Sequence, residues 1–196
     1  MKHFLCCLLA FFVRCLLALR YRIKITGFDE LPNRKGVLFL PNHPGEIDPV
    51  IVASLVYSRF PVRPLITEPM YNLPILNSVM KWINAIPVPD MEQGFSPYKI
   101  RRMEKVLAST INCLKNGDHV LLYPSGGLQR SGLEKIKGAS AVSNILEKYP
   151  DVTIVLVRTR GLWGSSFSTA LTRGITPDVA TVIIKATKIL LRNLMS

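Results

Sequence analysis

Acidic side chains are scarce in this 196-residue chain: 13 Asp and Glu stand against 25 Lys and Arg, a formal charge of +12 at neutral pH. The imbalance points to acidic partners, namely nucleic acid, anionic lipid or phosphorylated small molecules. Aromatics are also few, at 8%, and helix-turn-helix, zinc-finger and aromatic-basic sheet signatures are lacking, so nucleic acid is set aside. The four cysteines show no metal-ligand or disulfide-framework spacing. Cys6, Cys7 and Cys15 lie in the first apolar run and Cys113 stands alone. They read as reduced thiols packed as small hydrophobes, which suits a cytosol-facing protein. No repeat, linker or low-complexity segment interrupts the chain, and its length fits one domain with ample material for a core.

A long apolar run is missing too. Residues 4–19 are nearly all apolar, but Arg14 breaks them, and Lys2, Arg20, Arg22 and Lys24 flank them. The run falls short of the roughly 17–25 residues of a helical span, and Arg14 would cost about 2.5–3.5 kcal/mol at a bilayer centre. No small-x-small cleavage site precedes Arg20, which argues against a secretory leader. Residues 1–22 are therefore expected to form an embedded or re-entrant anchor helix, its basic flanks at cytoplasmic headgroups. An ordinary helix packed on the domain is the alternative.

Residues 23–196 read as a single α/β domain. Arg22–Thr26 alternates like an exposed strand that Gly27 closes, and Val37–Leu40 is a short buried strand. Val50–Val56 is apolar on all sides and predicts a deeply buried helix. Val62–Ile66 predicts a strand that its prolines confine to an edge or a short piece. A helix over Leu73–Ile83 and a strand over Ala85–Val88 follow. Ser96-Pro97 opens the clearest helix, with Ile100, Met103, Leu107, Ile111 and Leu114 in one stripe, and Asn116-Gly117 ends it. A strand at Val120–Tyr123, a glycine-rich loop, a helix from Ala139 to Lys148 and a strand at Val152–Val157 complete the pattern. Thr176-Pro177-Asp178 starts a helix-capped apolar and basic tail. The alternation predicts a largely parallel or mixed sheet flanked by helices.

What is present in quantity is polar corners after apolar strands. The first is Asn42-His43-Pro44-Gly45-Glu46-Ile47-Asp48-Pro49. Five residues apart, His43 and Asp48 would lie about 140° apart on a helix and on opposite faces of a strand. The Pro44-Gly45 turn can bring them together. Asp48 before Pro49 reads as a helix N-cap. A carboxylate on one ring nitrogen fixes the histidine tautomer and leaves the other nitrogen as a general base for a hydroxyl. Glu46 is the alternative orienting group.

The second corner is Tyr123-Pro124-Ser125-Gly126-Gly127-Leu128-Gln129-Arg130. Its glycines let backbone N–H groups approach an anion, with Arg130 adding charge. It is neither a Gly-x-Ser-x-Gly elbow nor a nucleotide P-loop. The third carries Arg158 and Arg160, which share a face if the strand continues and then suit a phosphate; solvated strand-end charges are the other reading. All three follow apolar strands, where open α/β sheets place ligands.

With these residues assembled, the chain resembles the glycerolipid acyltransferases, the 1-acylglycerol-3-phosphate acyltransferase superfamily. Asn42 to Asp48 matches its Asn-His-(four residues)-Asp motif, Tyr123-Pro124-Ser125-Gly126 corresponds to its Phe-Pro-Glu-Gly block, and Ile154–Val157 to its last apolar block. The resemblance implies a membrane-associated enzyme facing the cytoplasm. In such an enzyme His43, oriented by Asp48, deprotonates a lysophospholipid hydroxyl that attacks an acyl thioester of CoA or acyl carrier protein. It implies neither metal nor further cofactor, an anionic membrane surface as partner, and substrate contacts from Asn42, Ser125, Gly126, Gly127, Arg130, Arg158 and Arg160. Three features depart from the family. Ser125 replaces its glutamate, and Asp90 stands where an arginine is usual. Family chains also continue with further strands, so this one reads as shortened. Two other readings stay open: a degenerate relative that binds membrane lipid without catalysis, and a hydrolase in which His43 activates water against a thioester.

Overall fold

A computed structural model describes residues 2–91, 94, 96–136 and 140–172, with the isolated positions 184, 187, 188, 191 and 192. The tail beginning at Thr176 and the helix start at Ala139 lie outside the described residues. In chain order the elements are α1 (Lys2–Ala18), β1 (Val37–Pro41), α2 (Asp48–Tyr57), β2 (Val62–Thr67), α3 (Glu68–Tyr71), α4 (Pro74–Trp82), β3 (Ile86–Val88), α5 (Pro97–Lys115), β4 (His119–Leu121), α6 (Ser140–Lys148) and β5 (Thr153–Val157). A short 3-10 turn follows at Thr169–Thr172.

The five strands form one sheet in the order β3-β2-β4-β1-β5, every pair parallel. β1 is buried along its whole length, as befits a central strand covered on both faces. Its residues alternate between two cores. Leu38 and Leu40 join Leu107, Ile111 and Leu114 of α5 and Ile145 of α6. Val37 and Phe39 join Val52 and Val56 of α2. Ser96 caps α5, its Oγ accepting from Lys99 N at 3.2 Å, so this helix begins where the Ser-Pro signal predicts. The two connections out of the central strands run to opposite sides of the sheet, from β1 through α2 to β2 and from β4 through α6 to β5. The ends of β4, β1 and β5 therefore adjoin, and so do the three polar corners.

Three expectations change. Arg22–Thr26 is not a strand. Tyr21 and Ile23 do turn inward, onto Leu17, Ile51 and Leu162, but among the described residues no strand pairs with the segment to complete a ladder. β2 is internal despite Pro64, because it changes partner midway. Val62–Pro64 pair with β4, and Leu65–Thr67 pair with β3. α2 is deeply buried at Ile51, Val52, Ser54 and Val56, but not along its whole apolar run, since Val50 is 42% exposed.

No helix among the described residues is long and apolar enough to cross a membrane. α1 packs against α2, burying Cys6, Ala10 and Leu17, while Phe4, Leu5, Leu8, Phe11 and Phe12 face outward. That spacing is one helical stripe.

His119, at the start of β4, couples the core to pH. Its Nδ1 accepts from Val37 N at 3.3 Å, and its ring meets Phe60 edge-on at 5.1 Å. Burial pushes its pKa below the usual histidine value, with the Asp118 charge opposing. The unfolded chain then takes up the proton first as pH falls. The stabilisation is complete above about pH 6.5 and is lost as pH drops through the lowered folded-state value. Thermal unfolding followed from pH 7.5 downward should show a larger loss for the parent than for His119→Asn, whose amide oxygen keeps an acceptor without titrating.

Candidate active site

The first corner is built from short-range causes. Beyond β1, Asn42 N still donates to Val157 O at 3.2 Å, extending the pairing with β5. Pro44 and Gly45 form a tight bend that turns the chain into α2. The N-cap is Ile47, without a side-chain cap bond, so Asp48 does not cap the helix as its place before Pro49 predicts. Its carboxylate turns back instead. Oδ2 lies 2.9 Å from His43 Nδ1 and accepts from Gly45 N at 3.1 Å. The Asp48 side chain is wholly buried and that of His43 is 16% exposed. A carboxylate only accepts, so Nδ1 carries the proton and Nε2 keeps its lone pair.

The loop after β4 holds His43 from three directions. Gln129 N donates to the His43 carbonyl at 2.8 Å, His43 N donates to Glu134 Oε1 at 3.0 Å, and the Tyr123 ring lies 4.3 Å from the imidazole, inclined by 37°. The segment after β5 buttresses the same corner, with Glu46 N donating to Phe167 O at 2.8 Å and Thr169 Oγ1 donating to Gln129 O.

Other residues singled out from the sequence take varied places. Asn42 spends both ends of its amide on one backbone unit: Nδ2 donates to Thr159 O at 3.0 Å and Oδ1 accepts from Thr159 N at 2.6 Å. It clamps the end of β1 to the segment that carries Arg158 and Arg160. Ser125 Oγ donates to Gly127 O at 2.8 Å, and Gly126 N donates to Tyr123 O at 3.0 Å, so this loop closes on itself. Arg130 is exposed. Exposure alternates past the end of β5, which puts Arg158 and Arg160 on one side with Ile154 and Leu156. A groove of about 390 Å³ opens there. Pro41, Pro124, Ile136 and Leu156 give it apolar walls, and Asn42, Glu134 and Arg158 line it as well. Leu156 is 80% exposed.

Two contributors escape sequence reading. Tyr123 counts there only as the first residue of the second corner and its motif match, and its place on His43 follows from β4 lying beside β1. Glu134 carries no local signal, since it reaches His43 from a loop well beyond the end of β4.

Fold and site together define an open, parallel α/β protein with a histidine–carboxylate pair at the C-terminal end of an internal strand, β1. The family model for acyltransferases matches residues 22–158, and the chain belongs to that family. Among solved structures, the 1-acyl-sn-glycerophosphate (LPA) acyltransferase PlsC from Thermotoga maritima shares the fold at 18% identity and a TM-score of 0.55. The match covers 76% of this chain and 54% of that one, so the chain spans about half the length of that protein. No curated protein matches the chain.

Proposed function

We propose that the protein transfers a fatty acyl group from a thioester of CoA or acyl carrier protein to the hydroxyl of a lysophospholipid such as 1-acylglycerol-3-phosphate, in phospholipid synthesis at a membrane facing the cytoplasm. The observation that carries this reading is the 2.9 Å His43–Asp48 contact; Glu134, which holds His43 N, also lines the apolar groove with Asn42 and Arg158. His43 Nε2 takes the acceptor's hydroxyl proton as that oxygen attacks the thioester carbonyl. The C–O bond forms, collapse of the tetrahedral intermediate breaks the C–S bond, and the imidazolium returns its proton to the leaving thiolate. Asp48 stabilises the imidazolium in between. The apolar walls suit an acyl chain, and Arg158 suits a phosphate on donor or acceptor.

Purified protein incubated with labelled acyl-CoA and mixed lysolipids, with products read by mass spectrometry, tests the reading. Labelled diacyl phospholipid is the expected product. Thiol release independent of lysolipid, or lipid binding without turnover, would overturn it.

The membrane part rests on the outward stripe of α1 with Arg20, Arg22 and Lys24 just beyond it. Such a helix lies in the interface rather than across it, its apolar face among the acyl chains and its basic residues at anionic headgroups. Replacing Phe4, Phe11 and Phe12 together by serine should cut co-sedimentation with anionic vesicles at least about tenfold, given roughly 1.5–3 kcal/mol for each large apolar side chain buried. The buried contact with α2 stays intact. Unchanged sedimentation would remove α1 as the membrane contact.

A further inference from the structure

The hydroxyl of Tyr123 and Oδ1 of Asp48 are both buried and lack a hydrogen-bond partner of good geometry. Buried polar atoms of this kind are costly, and native structures hold few. These two are complementary, one a donor and the other an acceptor. They are also linked, since the Tyr123 ring lies on His43 and His43 holds the other oxygen of Asp48.

The phenol is pushed well above the usual tyrosine range, chiefly by burial, then by the Asp48 charge and a hydrogen-bonding contribution from Asp48, then by the Glu134 charge. It therefore stays neutral, with its proton available to Asp48. Catalytic hydrogen bonds in free enzymes are often long or poorly aligned and tighten when substrate is bound.

We propose that Tyr123 is a positioning residue for the His43–Asp48 pair. Its ring fixes the plane of the imidazole, and its hydroxyl holds Asp48 Oδ1 so that Oδ2 stays on His43 Nδ1. The inference rests on the catalytic reading of that pair. The acyltransferase block that this corner resembles has phenylalanine at the position, so the ring agrees with that block and the hydroxyl departs from it. A ring that merely filled space would work equally well without its hydroxyl.

Tyr123→Phe, which keeps the ring, separates the two roles. The full-length protein is followed by its downfield Nδ1–H proton resonance, assigned to His43 by its loss in His43→Ala. Without the tyrosine donor, Asp48 presents its charge undivided to Nδ1–H, so the resonance moves further downfield, while Tyr98→Phe leaves it in place. With acyl-CoA and lysophosphatidic acid, kcat of Tyr123→Phe falls about tenfold while KM stays within about twofold, the scale of one buried acceptor left unpaired. Tyr123→Leu, which removes the ring as well, loses more. A Tyr123→Phe resonance that overlays the parent's overturns the inference whatever the rate, and so does a change confined to KM. His43→Ala at the parental rate overturns the catalytic reading of the pair, and this inference with it.

Discussion

Replacing His43 by alanine should lower acyl transfer by about 10²–10⁴, the range a positioned general base contributes. The loss should appear in kcat rather than KM, because the imidazole takes up its proton as the oxygen–carbon bond forms and contributes little to substrate binding before that. Asp48→Asn should cost less than His43→Ala. Asparagine keeps one acceptor oxygen for Nδ1–H or for Gly45 N, which share Oδ2 in the parent. It loses the charge that stabilises the imidazolium. The double variant should be no slower than His43→Ala alone, because the two groups act as one unit and removing the orienting carboxylate cannot harm an absent base. Steady-state rates for the two single variants and the double variant check this. Losses that multiply, or a His43→Ala enzyme within tenfold of the parent, would show that the pair is structural. Both side chains sit where a structural role would register in the fold, so melting temperatures belong beside the rates. Neither single variant should lose its cooperative transition.

Much of this corner is legible in the sequence because its causes are local. An apolar strand that stops at a polar residue, a proline–glycine turn and a carboxylate five positions on suffice to bring His43 and Asp48 together. The detail of Asp48 is not legible. Its place before proline looks like a cap, but a carboxylate facing a histidine N–H and a turn amide is drawn to those donors rather than to its own helix. Long-range features are hidden for a different reason. Whether Pro64 can sit inside a sheet depends on which strand lies on each side, and β2 tolerates it by exchanging β4 for β3 at that point. The alternation in Arg22–Thr26 does report the inward facing of Ile23, yet a strand also needs a neighbour. The same limit applies to Asn42. As a residue type it suits substrate contact, but the backbone of Thr159, distant in sequence, takes both ends of its amide. Leu156 stands in an apolar strand by sequence, yet it is 80% exposed on β5, the edge strand.

At the opposite end of β1, Gly36→Ala should destabilise the protein by about 3 kcal/mol or more, among the largest effects of a single methyl group. Two costs add. Gly36 has φ of +68°, where a side chain costs about 1 kcal/mol. The new Cβ would also lie 2.3 Å from the carbonyl oxygen of Leu114, near the C-terminus of α5. A contact with backbone cannot be relieved by a rotamer change. The turn is held as well by Gly36 N donating to Gly117 O at 3.1 Å, so moving either side breaks it. Gly27 separates the two costs within the same molecule: its φ is +74°, and a Cβ added there would meet nothing within 4 Å. Gly27→Ala should therefore lose only the conformational part, about 1 kcal/mol. Denaturant unfolding of both variants measures the difference, and equal losses would show that the approach of α5 to β1 is loose. If the approach is tight, the consequence reaches the site. Val37 follows Gly36 directly, and a shift of β1 away from α5 would travel along five buried residues to the strand end that sets His43 against Asp48. Gly36→Ala should then reduce acyl transfer in the fraction that stays folded, while Gly27→Ala, outside the sheet, should leave it unchanged.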